Sequence, residues 1–420
     1  MIKIIPGILQ GEVTAPPSKS FSIRALVADY LAGGGSVLHN LSECQDVLAA
    51  QNALTQLRMG RAVDCGESAL ALHLIASVAV LQSRSIFLTA LGTLRQRPLS
   101  SLIRALQTFG AKCTPPESGF PLQAEGPLRA GKGVMDGRSG SQAVSGLLMA
   151  LPLLECDSKL TLLHPVSLPY IDLTLNVMLR FGVYVEAKPD LQTTRFCYLI
   201  PGGQSYRQTE LTIPGDWSGA AVLMAAAAVS SAKYQGGRCI IKGVGRMDLA
   251  APDSVIIEAL LSAGVSCTLI GEDWEIHVSK GLTPFVFDLT HAPDLAPPLA
   301  ALAAHIPGVS VLKGAGRLTT KESRRGEVLQ QVLRQLGITA ELGEDELAVY
   351  GSGVIELPAR EVIDSHHDHR IAMAVAIAAV GAKNPVSLSG ESCVAKTYPR
   401  FWDDLASLGL HTLKSPNFAP

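Results

Sequence analysis

A chain of 420 residues suggests two or three domains, and its 17% of charged residues, against a typical share of about a quarter, predicts a large buried interior. The formal net charge of −2 excludes a general attraction to nucleic acid or anionic membrane, so any affinity for anions must be local. Apolar runs are broken before the ~20 residues needed to cross a bilayer, and eight cysteines without a Cys-x-x-Cys pair read as reduced, packed thiols rather than disulfides or metal ligands.

From the N-terminus, Met1-Ile2-Lys3-Ile4-Ile5 reads as a strand rather than a secretory leader, so the protein is expected in the cytoplasm. After Pro16-Pro17 one unit recurs six times, mostly at intervals of about 75 residues: a polar phrase, then a helix-length run of small apolar residues. The phrases are Pro17-Ser18-Lys19-Ser20, Cys65-Gly66-Glu67-Ser68, Gly140-Ser141-Gln142, Gly215-Asp216-Trp217-Ser218, His291-Ala292-Pro293-Asp294 and His367-Asp368-His369-Arg370. The runs that follow begin near Arg24, Ala71, Val144, Gly219, Leu295 and Ile371, and being apolar on every side they predict buried helices.

Between them lie amphipathic stretches that close at Met59-Gly60, Phe109-Gly110, Phe181-Gly182, Ala263-Gly264, Leu336-Gly337 and Leu408-Gly409, with glycine suited to ending a helix in the left-handed conformation. Segments such as Ile86-Phe87-Leu88-Thr89, Leu160-Thr161-Leu162-Leu163 and Trp274-Glu275-Ile276-His277-Val278 read as short strands. The predicted class is α/β, each unit running strand, buried helix, strand, amphipathic helix and one or two more strands. Six units fall into two groups of three, with crossings at Pro16-Pro17 and Ile213-Pro214. The expected domains are therefore residues 17–213 and residues 1–16 with 214–420, with ligands in the cleft between them.

Chemistry follows from the phrases. A helix N-terminus offers unpaired N–H groups and partial positive charge, so Lys19, Ser20, Ser141, Gln142 and Arg370 stand at natural anion sites. Further cations lie in Arg95-Gln96-Arg97-Pro98, Lys321-Glu322-Ser323-Arg324-Arg325 and Ala395-Lys396-Thr397-Tyr398-Pro399, which predicts polyanionic small-molecule substrates. Asp294 and Glu322 sit among these cations as candidate general acids or bases. The plainer alternatives are a Glu322 ion pair with a neighbouring arginine and an Asp294 helix cap. His366, His367, Asp368 and His369 could be read as metal ligands, but consecutive residues entering one helix cannot all face one ion.

Ser18-Lys19-Ser20-x-Ser22-x-Arg24-Ala25-Leu26, Arg97-Pro98, Ser141-Gln142, Pro169-Tyr170-Ile171-Asp172, Lys321-Glu322-Ser323, Asp368-His369-Arg370-Ile371-Ala372-Met373 and Ala395-Lys396-Thr397-Tyr398-Pro399 occur in this order. Together they resemble the 3-phosphoshikimate 1-carboxyvinyltransferase (5-enolpyruvylshikimate-3-phosphate synthase) family. The resemblance implies an α/β, two-domain enolpyruvyl transferase fold, each domain made of three βαβαββ units with pseudo-threefold symmetry. It implies transfer of the enolpyruvyl group of phosphoenolpyruvate to the 5-hydroxyl of shikimate 3-phosphate, by a monomer, with no metal or organic cofactor. Lys19, Ser20, Arg24, Ser141, Gln142, Ser167, Tyr170, Asp294 and Lys321 would then hold shikimate 3-phosphate, and Lys19, Gln142, Arg97, Arg325, Arg370 and Lys396 phosphoenolpyruvate. Asp294 would take the hydroxyl proton and Glu322 exchange the methylene proton, with Lys321 and Lys19 relaying.

Several positions depart from that pattern. Gly66-Glu67-Ser68-Ala69-Leu70-Ala71-Leu72-His73 stands where Gly-Asn-Ala-Gly-Thr-Ala-x-Arg is common, Gly140 and Leu168 replace a Ser and a Lys, and Arg324 replaces an Asp. His73 removes a cation that would face phosphoenolpyruvate, and Ala69 puts a methyl where the competing inhibitor glyphosate would sit, which implies low sensitivity to it. Two other readings are a UDP-N-acetylglucosamine 1-carboxyvinyltransferase, with Cys113 near its loop cysteine, and a noncatalytic anion-binding relative.

Overall fold

The computed structural model describes residues 1–116, 119–190, 195–247, 251–357 and 361–414. The chain divides into two compact units, Pro17–Ile213 and Met1–Pro16 with Pro214–Pro420. Each has its own hydrophobic core.

The chain opens with β1 (Ile2–Ile5) and β2 (Gly11–Thr14). The unit 17–213 then contains α1 (Lys19–Leu31), β3 (Val37–His39), α2 (Gln45–Arg58), β4 (Val63–Asp64), α3 (Ala69–Ala79), β5 (Ser85–Thr89), α4 (Ser100–Thr108), β6 (Lys112–Thr114) and β7 (Leu122–Glu125). It continues through β8 (Lys132–Asp136), α5 (Gln142–Ala150), β9 (Ser158–Leu163), α6 (Leu168–Arg180), β10 (Glu186–Asp190), β11 (Arg195–Ile200) and β12 (Glu210–Thr212). Next come α7 (Trp217–Tyr234), β13 (Cys239–Lys242), α8 (Ile256–Ser262), β14 (Ser266–Ile270), β15 (Asp273–His277), β16 (Val286–Asp288), α9 (Ala296–Ala304), β17 (Gly308–Lys313) and α10 (Arg325–Gln335). The last elements are β18 (Thr339–Leu342), β19 (Glu346–Gly351), β20 (Val362–Asp364), α11 (His369–Val380), β21 (Val386–Ser389), α12 (Phe401–Ser407) and β22 (His411–Lys414).

Among the described residues, five sheets have four strands and one topology: β4-β5-β7-β6, β8-β9-β11-β10, β2-β13-β15-β14, β16-β17-β19-β18 and β20-β21-β1-β22. In each, the first two strands are parallel, as a helical crossover requires, and the rest antiparallel. The sequence expectation fails in the first unit. There β3 pairs only with β12, in parallel, and among the described residues the closing pair of strands is missing. In the other unit, β2 opens the first repeat and β1 sits inside the third, next to β21 and β22.

The apolar runs form α1, α3, α5, α7, α9 and α11. Every residue of α9 and α11 is buried, and α7, α9 and α11 pack on one another, while α3 packs on α1 and α5. Small side chains allow this: alanine fills much of each helix, so backbones approach closely without voids. All six glycines expected to close helices have positive φ. No helix among the described residues is long and apolar enough to cross a membrane.

A local device repeats where strand gives way to buried helix. Asp64, Asp136, Asp288 and Asp364 end β4, β8, β16 and β20, and each carboxylate accepts from the N–H two residues on, at 2.8 to 3.0 Å. This turn stops the strand and delivers the polar phrase to the helix start. The phrase then caps the helix: Ser18, Ser68, Asp216 and Asp368 accept from the first-turn N–H groups of α1, α3, α7 and α11.

Candidate active site

In the unit 214–420, three helix starts and one turn bring together Asp294, Lys321, Glu322, Arg325, Asp368 and Arg370. Arg325, the first residue of α10, is 1% exposed and donates to both oxygens of Asp368, Nε to Oδ2 at 2.9 Å and Nη2 to Oδ1 at 3.2 Å. Its Nη1 reaches Asp294 Oδ1 at 3.1 Å, and Nη2 also pairs with Glu322 Oε2. Asp294 takes two more cations, Lys321 Nζ at 3.3 Å and Arg370 Nη2 at 2.9 Å. Ser323 Oγ donates to Asp368 at 3.0 Å, and Asp368 also caps α11, so the whole cluster is tied to the buried helix.

Asp294 is therefore not a helix cap. It lies in a 3-10 turn, Pro293–Leu295, and its carboxylate turns to the cations. The glutamate alternative is realised geometrically, since Glu322 pairs with Arg325. Burial would raise the Asp294 pKa, but Arg370, Lys321 and Arg325 together hold it well below the ordinary carboxylate value. Burial lowers Lys321, only partly offset by Asp294, whereas Asp368, Glu322 and Asp294 overcome burial and raise Arg325. Asp253, fully buried and accepting from Ser218 Oγ, is pushed up to about 6 by burial and then by the charge of Asp294. Lys396 is buried at the end of the turn Glu391–Lys396.

In the unit 17–213, Lys19 and Ser20 begin α1, Ser141 and Gln142 begin α5, and Ser167 precedes α6 with φ 54°, followed by Tyr170 in its first turn. Lys19 Nζ meets Asp46 Oδ2 at 3.1 Å. Arg24 is buried: Nε donates to Thr174 Oγ1 at 2.7 Å, Nη1 to Ser20 O at 2.9 Å and Nη2 to Tyr170 O at 3.0 Å. Those bonds lock the backbone that carries Ser20 to the backbone that carries Tyr170, and burial lowers the Arg24 pKa to about 10. Arg97 follows the turn Gly92–Gln96, whose Thr93 is held by Glu67. The sequence reading missed Asp46, Asp253 and Thr174, which make no motif and matter only through distant partners; it placed Ser323 in a motif without giving it a role. Among the described residues, no group of His, Cys, Asp and Glu side chains could hold a metal ion, and the Asp368 carboxylate is occupied by Arg325.

The family profile described as EPSP synthase (3-phosphoshikimate 1-carboxyvinyltransferase) matches residues 4–61 and 58–405. Proteins named 3-phosphoshikimate 1-carboxyvinyltransferase from Clostridium beijerinckii and Aeropyrum pernix are 32% and 34% identical to this chain; the alignments cover 97% of it and 97% and 95% of theirs. The chain belongs to the EPSP synthase family. A solved EPSP synthase from Acinetobacter baumannii has the same fold, with a TM-score of 0.75 at 24% identity over 98% of this chain and 99% of that one. The enolpyruvyl transferase NikO from Streptomyces tendae shares it too, at 0.74 and 19% identity, over 98% of both chains.

Within this EPSP synthase family member, the second repeat holds Ala69, His73 and Cys113. His73 lies on α3, where burial pushes its pKa down to about 4 and Nδ1 contacts Ala69 O at 2.8 Å, so at neutral pH it is an uncharged ring. Ala69 is the first residue of α3 and is buried. Cys113 sits in β6 rather than a loop, and burial raises its thiol to about 11, opposite to what a reactive cysteine requires.

Proposed function

We infer that this protein is a 3-phosphoshikimate 1-carboxyvinyltransferase. It transfers the enolpyruvyl group of phosphoenolpyruvate to shikimate 3-phosphate and releases phosphate, in the shikimate pathway to chorismate and aromatic amino acids. Its family membership gives the reaction, and the observation that carries its chemistry is the cluster in which one carboxylate, Asp294, is shared by Lys321, Arg325 and Arg370.

Three cations on one carboxylate form a site waiting for a stronger anion. Phosphoenolpyruvate brings a phosphate and a carboxylate, and guanidinium groups bind both with paired hydrogen bonds. As Arg370, Arg325 and Lys396 turn to the substrate, Asp294 loses its counterions and its pKa rises. It then becomes a competent base for the 5-hydroxyl of shikimate 3-phosphate, which Ser20, Ser141, Gln142, Ser167 and Tyr170 hold and Arg24 helps to position. Protonation of the methylene carbon by Glu322 makes C2 cation-like, the hydroxyl oxygen adds there, and the adduct expels phosphate as the methylene proton returns to Glu322. Lys321 and Lys19 stabilise the charge that develops. The enzyme works as a cytoplasmic monomer and uses no metal or organic cofactor.

Phosphate release at steady state with both substrates tests this reading. The wild-type chain should turn over only when both are present, and Asp294→Ala should lower kcat by roughly 10²- to 10⁴-fold, the usual worth of a general base. No turnover with shikimate 3-phosphate, or turnover with UDP-N-acetylglucosamine instead, would refute it.

A further inference from the structure

A cavity of about 300 Å³ lies wholly within the unit 17–213, at the C-terminal ends of α1, α2 and α3. Lys19, Ser20 and Ala69 stand at the opposite ends of α1 and α3. Its volume is at the lower limit of small-molecule sites, ~300 Å³. Leu57, Val78 and Leu81 give it apolar walls, and Tyr30, Arg58 and Arg84 supply the polar groups.

Helix C-termini attract cations, and Arg84 answers part of that demand by donating from Nη2 to Leu57 O, at 3.0 Å, in the last turn of α2. That bond leaves the rest of the cation unexplained. Arg84 Nε is buried with no hydrogen-bond partner among the described residues, a costly state for a charged donor. Arg58 stacks over the Tyr30 ring at 5.4 Å and lies so close to the chain that a Cβ on Gly34, at φ +87°, would be 3.2 Å from its Nη2. The two guanidiniums are thus held at a hollow of mixed polar and apolar lining by features that charge alone does not require.

We propose that this cavity is a second binding site, separate from the substrate machinery, for a small monocarboxylate with a flat apolar body. Arg84 and Arg58 take the carboxylate, and Tyr30, Leu57, Val78 and Leu81 cover the body. Three helix C-termini place negative potential at this end, which disfavours a phosphate dianion and leaves a single carboxylate as the better match.

Benzoate is the probe, titrated calorimetrically into the full chain with and without saturating phosphoenolpyruvate and shikimate 3-phosphate. Saturable binding with a Kd of about 1 mM, unaffected by the substrates, is the expected result. Arg58→Gln and Arg84→Gln should each weaken it by about tenfold or more, the loss of one charged hydrogen bond, with kcat unchanged. Arg58→Gln changes an exposed residue, so it decides the matter even if Arg84→Gln lowers the melting temperature. Absence of saturable heat, displacement of benzoate by either substrate, undiminished binding to Arg58→Gln, or equal competition by inorganic phosphate would overturn the proposal.

Discussion

Asp294 and Asp368 share the guanidinium of Arg325, yet their surroundings give them different work. Asp368 is fully buried and accepts two bonds from Arg325, one from Ser323 and one from the backbone of Arg370, which makes it structural. The Asp294 side chain is 20% exposed and its partners are the cations proposed to bind substrate. Asp368→Asn should therefore cost about 3 kcal/mol of stability by leaving a buried guanidinium underpaired, visible as a lower melting temperature. Asp294→Asn should cost less stability than Asp368→Asn, since its carboxylate is partly exposed, and lower kcat by roughly 10²- to 10⁴-fold; an equal melting loss with normal kcat would contradict the division. Ala69 gives a second prediction at this scale. If its methyl crowds the inhibitor's position, Ala69→Gly should tighten glyphosate inhibition by roughly 10- to 200-fold, the effect of one methyl in a tight pocket, and an unchanged inhibition constant would reject that placement. Lys19, Asp294 and Arg370 were legible in sequence because each sits beside a buried-helix run, and Glu322 because it stands among the cations of Lys321-Glu322-Ser323-Arg324-Arg325. Asp253 was not, since its role arises from Ser218, 35 residues away, and from the charge of Asp294.

At the scale of elements, helix-length alanine runs and the glycines that close the amphipathic helices made the helices readable. The strands were harder: β4 has only two residues and β3, β12, β16 and β20 three each, too short for alternation to register. The ends of β4, β16 and β20 are marked instead by an aspartate whose turn is stated chemically, Asp64, Asp288 and Asp364, as Asp136 marks the end of β8. Packing between helices also predicts an acid response. His305 closes α9 with Nε2 3.0 Å from Ala378 O on α11, and burial pushes its pKa from the ordinary 6.5 down to about 4. The unfolded chain binds that proton more tightly, so stability is whole above pH 6.5 and is lost as pH falls toward 4. Thermal melts across this window should show a decline of roughly 2 to 3 kcal/mol from this ring, since each pKa unit is worth about 1.4 kcal/mol. His305→Gln should flatten the slope; an unchanged slope would assign the acid response to other groups.

At the scale of the whole molecule, the crossings at Pro16-Pro17 and Ile213-Pro214 were readable as breaks, but not the use made of the first strands. Residues 1–16 supply β2 to the sheet of β13, β14 and β15, and β1 to the sheet of β20, β21 and β22. Without them β21 and β22 lose their shared neighbour and the core loses Ile2, Ile4, Leu9 and Val13. The unit 17–213, by contrast, keeps all its strands in one stretch of chain and has a core of its own. Residues 17–213 expressed alone should therefore give a cooperative melt, whereas residues 214–420 alone should not. The repair is dictated by register: β1 runs antiparallel to β22 with Ile2 opposite Lys414, so the end of one strand lies beside the start of the other. A permuted chain running 214–414, an Asn-Gly turn and then 2–16 closes that pair as a hairpin and should recover a cooperative melt. Cooperative folding of residues 214–420 without the N-terminal strands would show that β1 and β2 merely decorate a core that is complete without them.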